Sequence, residues 1–189
     1  MKKIVLKSQS PRRKELLSQM GYEFEIKTYD VDEIINSNLS PVENVKRLGL
    51  LKASVNSELD YGKILIGCDN IVVLDNIIYG KPKDRIDAFN TLKKLSGRTH
   101  MVMSGLCVIY KDKLYNDCEI SYVTFKDLSD EDINNYIDTK EPFGKAGSYA
   151  IQGIGKNLIK EYKGSLNNII GLPTEMLEKI LGEINGMED

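Results

Sequence analysis

Six residues near the N-terminus, Ser8-Gln9-Ser10-Pro11-Arg12-Arg13, gather the groups that hold a phosphate. An apolar run over residues 4–6 reads as a short strand. Ser10 as N-cap with Pro11 at the first helical position then starts a helix. Free N–H groups and the positive dipole end at such a start favour an anion. Ser8 and Ser10 add hydroxyls, and Arg12 and Arg13 add guanidiniums that clamp phosphate oxygens in a fork. The same residues also fit an ordinary capped helix with solvated arginines.

Two carboxylates extend that chemistry. Asp69 directly follows a buried strand over residues 63–68, where a strand end delivers a side chain into a cleft. Glu33 lies in the loop-like stretch Val31-Asp32-Glu33. A carboxylate pair can hold a divalent cation and orient a water, as phosphate-ester cleavage requires. Taken singly, each also fits a turn or surface residue. Lys52, and Lys81 within Gly80-Lys81-Pro82, could neutralise phosphate or stand solvated. The segment 144–155 is rich in small residues that let backbone approach a flat ligand. Within it, Gln152 offers an amide donor and an acceptor, or is simply exposed on a connector.

The elements that must position these residues follow from periodicity and punctuation. The first helix carries Leu16, Leu17 and Met20 on one face and stops at Gly21, before an extended segment over 22–28. Ser40-Pro41-Val42-Glu43 is a second start with a capping box, opening a helix to about Ser57. Residues 71–74 and 77–79 flank Asp75-Asn76 as a hairpin. Asp84 opens a helix to Gly97, and residues 99–110 and 114–126 form two long antiparallel strands. Ser129 caps a helix to about Thr139, a strand spans 158–162, and Thr174-Glu175 opens a last helix ending near Gly182. Residues 186–189 read as a frayed tail. The irregular alternation, with hairpins, implies an α/β fold on a mixed sheet, with no internal repeat and no boundary that divides residues 1–189.

Composition excludes several classes. Lys and Arg total 26 against 28 Asp and Glu, a net charge of −2, which disfavours broad nucleic-acid binding. Four phenylalanines and no tryptophan give little to stack bases on. One histidine, His100, rules out a multi-histidine zinc site, and three cysteines without a CxxC suit reduced, intracellular thiols. His100 and the cysteines are read as structural. No apolar stretch approaches the ~20 residues of a membrane helix, and none resembles a signal peptide, so a cytoplasmic protein is expected. A Walker P-loop, a dinucleotide fingerprint and a G-x-S-x-G elbow are all absent.

Taken together, the motifs resemble the Maf family of nucleoside triphosphate pyrophosphatases over residues 1–184. The matching positions are Ser8-x-Ser10-Pro11-Arg12-Arg13-x-x-Leu16-Leu17, Asp32-Glu33, Lys52-Ala53, Gly67-x-Asp69, Gly80-Lys81-Pro82, and Leu95 through His100. They continue through Lys145-Ala146-Gly147-x-Tyr149-x-Ile151-Gln152-Gly153 to Gly171-Leu172-Pro173. The Ile151-Gln152-Gly153 form is similar to the subgroup acting on dTTP and UTP. Departures are Lys7 for Ala, Cys68 for Ala, Asn70 for Thr, Gly144 for Asp and Leu166 for Tyr.

The resemblance implies two α/β lobes around a central cleft, a mixed β-sheet akin to inosine triphosphate pyrophosphatases, and hydrolysis of dTTP and UTP to the monophosphate and pyrophosphate. Modified pyrimidine nucleotides fall in the same class. It implies catalytic roles for Asp69 (the proton acceptor), Glu33, Lys52 and Lys81, and phosphate binding by Ser8, Arg12 and Arg13. It implies base discrimination by Arg12, Asn70 and Gln152, and a divalent cation, Mg²⁺ or Mn²⁺, on Glu33 and Asp69. The expected partner is the nucleotide alone, with no stable nucleic acid and no membrane; a homodimer is allowed but not required. A different class, a nucleotide-binding regulator of cell division without turnover, is the alternative. The intact set of charges disfavours it.

Overall fold

Serine followed by proline starts two of the helices, and in both the serine caps. Ser10 Oγ accepts the Arg13 N–H at the head of α1 (Pro11–Gln19). Ser40 and Glu43 form a reciprocal capping box on α2 (Pro41–Ser54). Each arrangement satisfies donors that a helix start leaves without an intrahelical partner. The structure, a computed structural model, describes residues 1–187; part of the expected tail, residues 188–189, lies outside the described residues.

Among the described residues there are seven strands: β1 (Ile4–Leu6), β2 (Phe24–Ile26), β3 (Ile64–Leu74), β4 (Ile77–Tyr79), β5 (Thr99–Tyr110), β6 (Lys113–Phe125) and β7 (Ile159–Lys163). Their order in the sheet is β2-β1-β3-β5-β6-β7, with β4 on β3. The sheet is mixed, as expected: β1 is parallel to β2 and β3, while β4 on β3 and β7 on β6 are antiparallel. Asp75 and Asn76 both adopt positive φ, +50° and +63°, as a tight hairpin between right-twisted strands demands. The remaining helices are α3 (Arg85–Leu95), α4 (Asp130–Asp138), α5 (Leu166–Ile170) and α6 (Thr174–Asn185).

The chain forms two compact units. Unit 1 comprises Met1–Asp69, Ser104–Glu119 and the chain from Gly171; unit 2 comprises Asn70–Met103 and Ile120–Ile170. In unit 1, α2 lies flush on the strands because glycines let backbone meet backbone. A Cβ on Gly67 would sit 2.4 Å from Ala53 N, and one on Gly105 only 1.9 Å from Val45 O. Val5, Leu6, Leu17, Leu48, Ile66 and Leu106 are buried in this unit. In unit 2, Leu92 and Leu95 of α3, Ile133 and Ile137 of α4, and Phe125 join Val72 and Tyr149 in one apolar cluster.

Three expectations need correction. Residues 63–68 and 71–74 are not separate strands but one, so Asp69 sits inside an eleven-residue strand and not at its end. Helix α2 stops at Ser54 and a single 3₁₀ turn, Ser57–Asp60, follows. Helix α6 runs through Gly182 to Asn185.

Candidate active site

Alternation along β3 places the first candidate carboxylate. Side chains two apart in a strand share a face, so Asp69 leaves β3 on the side where Gly67 meets Ala53 of α2. Lys52 precedes Ala53, and its Nζ donates to Asp69 Oδ1 at 2.6 Å. The same ammonium lies 2.9 Å from Glu33 Oε1. One cation thus gathers two carboxylates from distant parts of unit 1. Asp69 is largely buried, its side chain 11% exposed, whereas that of Glu33 is 45% exposed.

Glu33 belongs to a long irregular stretch between β2 and α2, which α2 itself ties down. Asn44, buried, accepts the Asn36 N–H at 2.8 Å and donates to the carbonyls of Asn36, Leu39 and Ser40. Arg47 donates to the carbonyl of Ile34, next to Glu33. Helix α2 therefore supplies both the ammonium and the tether for its partner's loop.

The N-terminal motif occupies the start of α1. Ser8 is buried just past β1. Arg13 donates from Nη1 to Ser8 Oγ at 3.1 Å and from Nε to the Gly171 carbonyl at 2.9 Å. The Cys68 thiol points at that same carbonyl, Sγ to O 3.7 Å, so the Arg13 anchor meets β3 one residue before Asp69. Burial and the neighbouring Arg13 lower the Arg12 guanidinium from its ordinary value. An anion beside them would relieve that repulsion. Hard oxygen donors on Glu33 and Asp69, completed by phosphate oxygens, are the set that carries Mg²⁺ or Mn²⁺ in nucleotide sites. The residues present fit such a cation. Among the described residues, no group of three or more His, Cys, Asp or Glu side chains could hold one unaided.

In unit 2, Asn70 is half-buried on β3 and leaves the strand opposite Asp69. Lys81 is exposed in the bend after β4, and Gln152 is exposed before a 3₁₀ turn, Gly153–Leu158. The Gly147 N–H donates to the Gly80 carbonyl at 3.1 Å, which brings the turn carrying Lys81 against the glycine-rich segment. Beneath that segment, His100 Nε2 and Tyr149 Oη lie 2.7 Å apart, with Phe125 edge-on to both rings. Burial lowers His100 to about 4, so it is a neutral core group at physiological pH. Burial pushes the Cys107 thiol up to about 12 and Cys118 up to about 11, and it raises Cys68 as well. None of them is an activated nucleophile.

Sequence reasoning missed two groups. Lys7 is buried, donates to the Val55 carbonyl at 3.0 Å and lies over the Tyr29 ring. Its position directly after an apolar strand signalled burial but not its partners. The other is Glu141, whose carboxylate accepts from Tyr136 Oη and from two backbone N–H groups after Gln152. Its signal was the invitation that Gly153 and Gly155 extend to a close neighbour.

A family model described as "Maf-like protein" matches residues 3–184. The chain belongs to the Maf family. A protein of Ruminiclostridium cellulolyticum named "dTTP/UTP pyrophosphatase" is 44% identical over 189 residues, covering 98% of this chain and 97% of its own. Relatives of the same name from Bacillus cereus and Caldicellulosiruptor saccharolyticus are 43% and 42% identical. They cover 98% and 97% of this chain, and 91% and 96% of their own lengths. Among solved structures, "The structure of the Staphylococcus aureus Ham1 protein" is similar with a TM-score of 0.58 at 15% identity. It covers 96% of this chain and all 100% of that one. At that identity the likeness bears on the fold, and it agrees with the mixed-sheet α/β class expected for a Maf chain. No described helix is long and apolar enough to cross a membrane.

Proposed function

We propose that this chain is a nucleoside triphosphate pyrophosphatase that hydrolyses dTTP and UTP to the monophosphate and pyrophosphate. The observation that carries this is the Glu33–Lys52–Asp69 cluster, set one residue along β3 from the Arg13 anchor. The printed names of relatives 42–44% identical to it support the same reading.

Hydrolysis at the α-phosphorus needs a water stripped of a proton and a leaving pyrophosphate stripped of its charge. Asp69 accepts the proton as the water oxygen bonds to phosphorus and the bond to the bridging oxygen breaks. Arg12, Arg13 and Lys81 meet the growing charge on the phosphates, and Ser8 donates a hydrogen bond to them. Lys52 holds both carboxylates converged, and its flexible stem lets it turn to a phosphate oxygen without backbone movement. A divalent cation on Glu33 and Asp69 would supply Lewis-acid polarisation of the phosphoryl oxygens.

Base choice is assigned to Gln152, with Arg12 and Asn70. Uracil and thymine present an N–H between two carbonyls. The Gln152 amide oxygen accepts from N3–H while its nitrogen donates to one carbonyl. Cytosine reverses two of those groups, so an amide held in one orientation rejects it. We take residues 1–189 to serve this activity as one domain. The three free cysteines support a reducing, cytoplasmic setting, where clearing surplus or modified pyrimidine nucleotides is useful.

The test is a panel of dTTP, UTP, CTP, GTP and ATP with Mg²⁺ or Mn²⁺, read as pyrophosphate and monophosphate. We expect dTTP and UTP to lead by at least ~10-fold in kcat/KM, the effect of one mispaired polar group in a desolvated pocket. A purine preference would overturn the substrate assignment. Binding without pyrophosphate release would favour the regulator.

A further inference from the structure

Gln152 reads a base only if something fixes the direction of its amide. The backbone around it closes into a small loop. A Cβ on Gly155 would lie 2.0 Å from the Ala150 carbonyl oxygen and 2.7 Å from Tyr136 Oη. Residues 150 and 155 therefore touch through backbone, and Gln152 sits between them at the exposed edge. Gly153 takes φ +71°, a conformation that L side chains avoid.

Two side chains from and just after α4 hold this loop. Tyr136 Oη accepts the Ala150 N–H at 3.2 Å and donates to Glu141 Oε1 at 2.7 Å. Glu141 accepts the Gly155 N–H on Oε1 at 2.8 Å and the Ile154 N–H on Oε2 at 3.0 Å. Its Oε2 also lies against Gly153, 2.7 Å from where a Cβ would stand. Both ends of the loop are thus fastened to one linked pair of acceptors. Burial pushes the Glu141 carboxyl up, but the hydrogen bonds from Tyr136, Gly155 and Ile154 outweigh it and hold it below its ordinary value. An ionised carboxylate is the strongest acceptor available for paired N–H groups.

We infer that Glu141 is a positioning residue for base recognition: it closes the 150–155 loop through Ile154 and Gly155, and so sets the orientation in which Gln152 meets a pyrimidine. This rests on the assignment of Gln152 to the base. Glu141 touches neither phosphate nor nucleobase in this scheme, so its loss alters selectivity before it alters turnover.

The experiment compares kcat and KM for UTP and CTP in wild-type protein, Glu141→Gln and Gln152→Glu, with Mg²⁺ present. Glu141→Gln keeps the size but turns one acceptor into a donor, so one of the two N–H groups loses its partner. The UTP-over-CTP ratio in kcat/KM should fall by about 5-fold or more, chiefly through KM for UTP, with kcat for UTP within about 3-fold of wild type. Tyr136→Phe frees both Glu141 and Ala150, should lower the same ratio, and decides the matter if Glu141→Gln does not fold. An unchanged ratio, or an equal loss for both nucleotides, overturns the inference. If Gln152→Glu shifts the ratio and Glu141→Gln does not, only the positioning role fails. If Gln152→Glu also leaves it unchanged, the assignment of Gln152 itself fails.

Discussion

The Glu33–Lys52–Asp69 cluster in unit 1 and the 144–155 segment in unit 2 are built by opposite means. In unit 1, Lys52 stands on a regular helix and Asp69 on a long strand, glycine contacts between those backbones set their spacing, and Glu33 joins them from a tethered irregular stretch. In unit 2, backbone groups do the shaping, in left-handed turns at Gly147, Ser148 and Gly153, and the Glu141 carboxylate fastens the last of them through Ile154 and Gly155. Triphosphate is common to every nucleotide and rewards fixed charge. A base differs only in the order of donors and acceptors along one edge, and rewards fixed direction. The contrast teaches that substitutions in the Glu33–Lys52–Asp69 cluster should scale all substrates together, whereas those in the 144–155 segment should reorder them.

The largest expected effect breaks the chemistry. Asp69→Asn keeps the shape but loses basicity, so kcat should drop at least ~10²-fold for every nucleotide while the thermal melt stays near wild type. Turnover close to wild type would remove Asp69 from the mechanism. Arg13→Ala removes charged hydrogen bonds worth ~1.5–3 kcal/mol, so kcat/KM should fall roughly 10- to 100-fold. The loss should be uniform across the panel, and a changed base ranking would refute its place on the triphosphate.

The third effect is on stability. His100 is neutral in the folded protein down to about pH 4, whereas an unfolded imidazole binds a proton below ~6.5. Between those values the unfolded chain holds more protons, so stability rises with pH across the window and falls on acidification. From pH 7 to 5 this group alone removes about 2 kcal/mol, or ~4–8 °C of melting temperature. The chain has one histidine, so its imidazole proton resonances report the titration directly. A shift centred near pH 6.5 in the folded protein would contradict the buried state. The smallest effect is the sharpest test of the contrast: Gln152→Glu should erode a base preference of about 10-fold, with the loss falling on kcat/KM for dTTP and UTP, whose carbonyl loses its donor.

Most of unit 1 was legible because its signals are local. Ser10-Pro11 and Ser40-Pro41-x-Glu43 announce helix starts by chemistry that needs no tertiary partner. Asp69 misled for a physical reason. A polar pair, Asp69-Asn70, in an apolar run reads as a turn, and nothing nearby in sequence shows that Lys52 satisfies the carboxylate and lets the strand continue. The 144–155 segment could be read as close-approaching backbone but not as a shape. The closure of residues 150–155 depends on Tyr136 and Glu141, and Ser148 takes φ +63° although its residue type gives no warning. Helix α5, five residues long, is too short to show a period.

Asn44 touches no proposed substrate group, yet it governs the thermodynamics of the residue that does. A loop that substrate or cation had to order would subtract ~1–2 kcal/mol of affinity for each residue fixed. Asn44 and Arg47 order the stretch after Glu33 while the chain folds, so association meets a carboxylate whose neighbouring backbone is already fixed. Asn44→Ala should therefore appear in calorimetry as weaker UTP binding, with the loss carried by a more negative entropy and not by a missing contact.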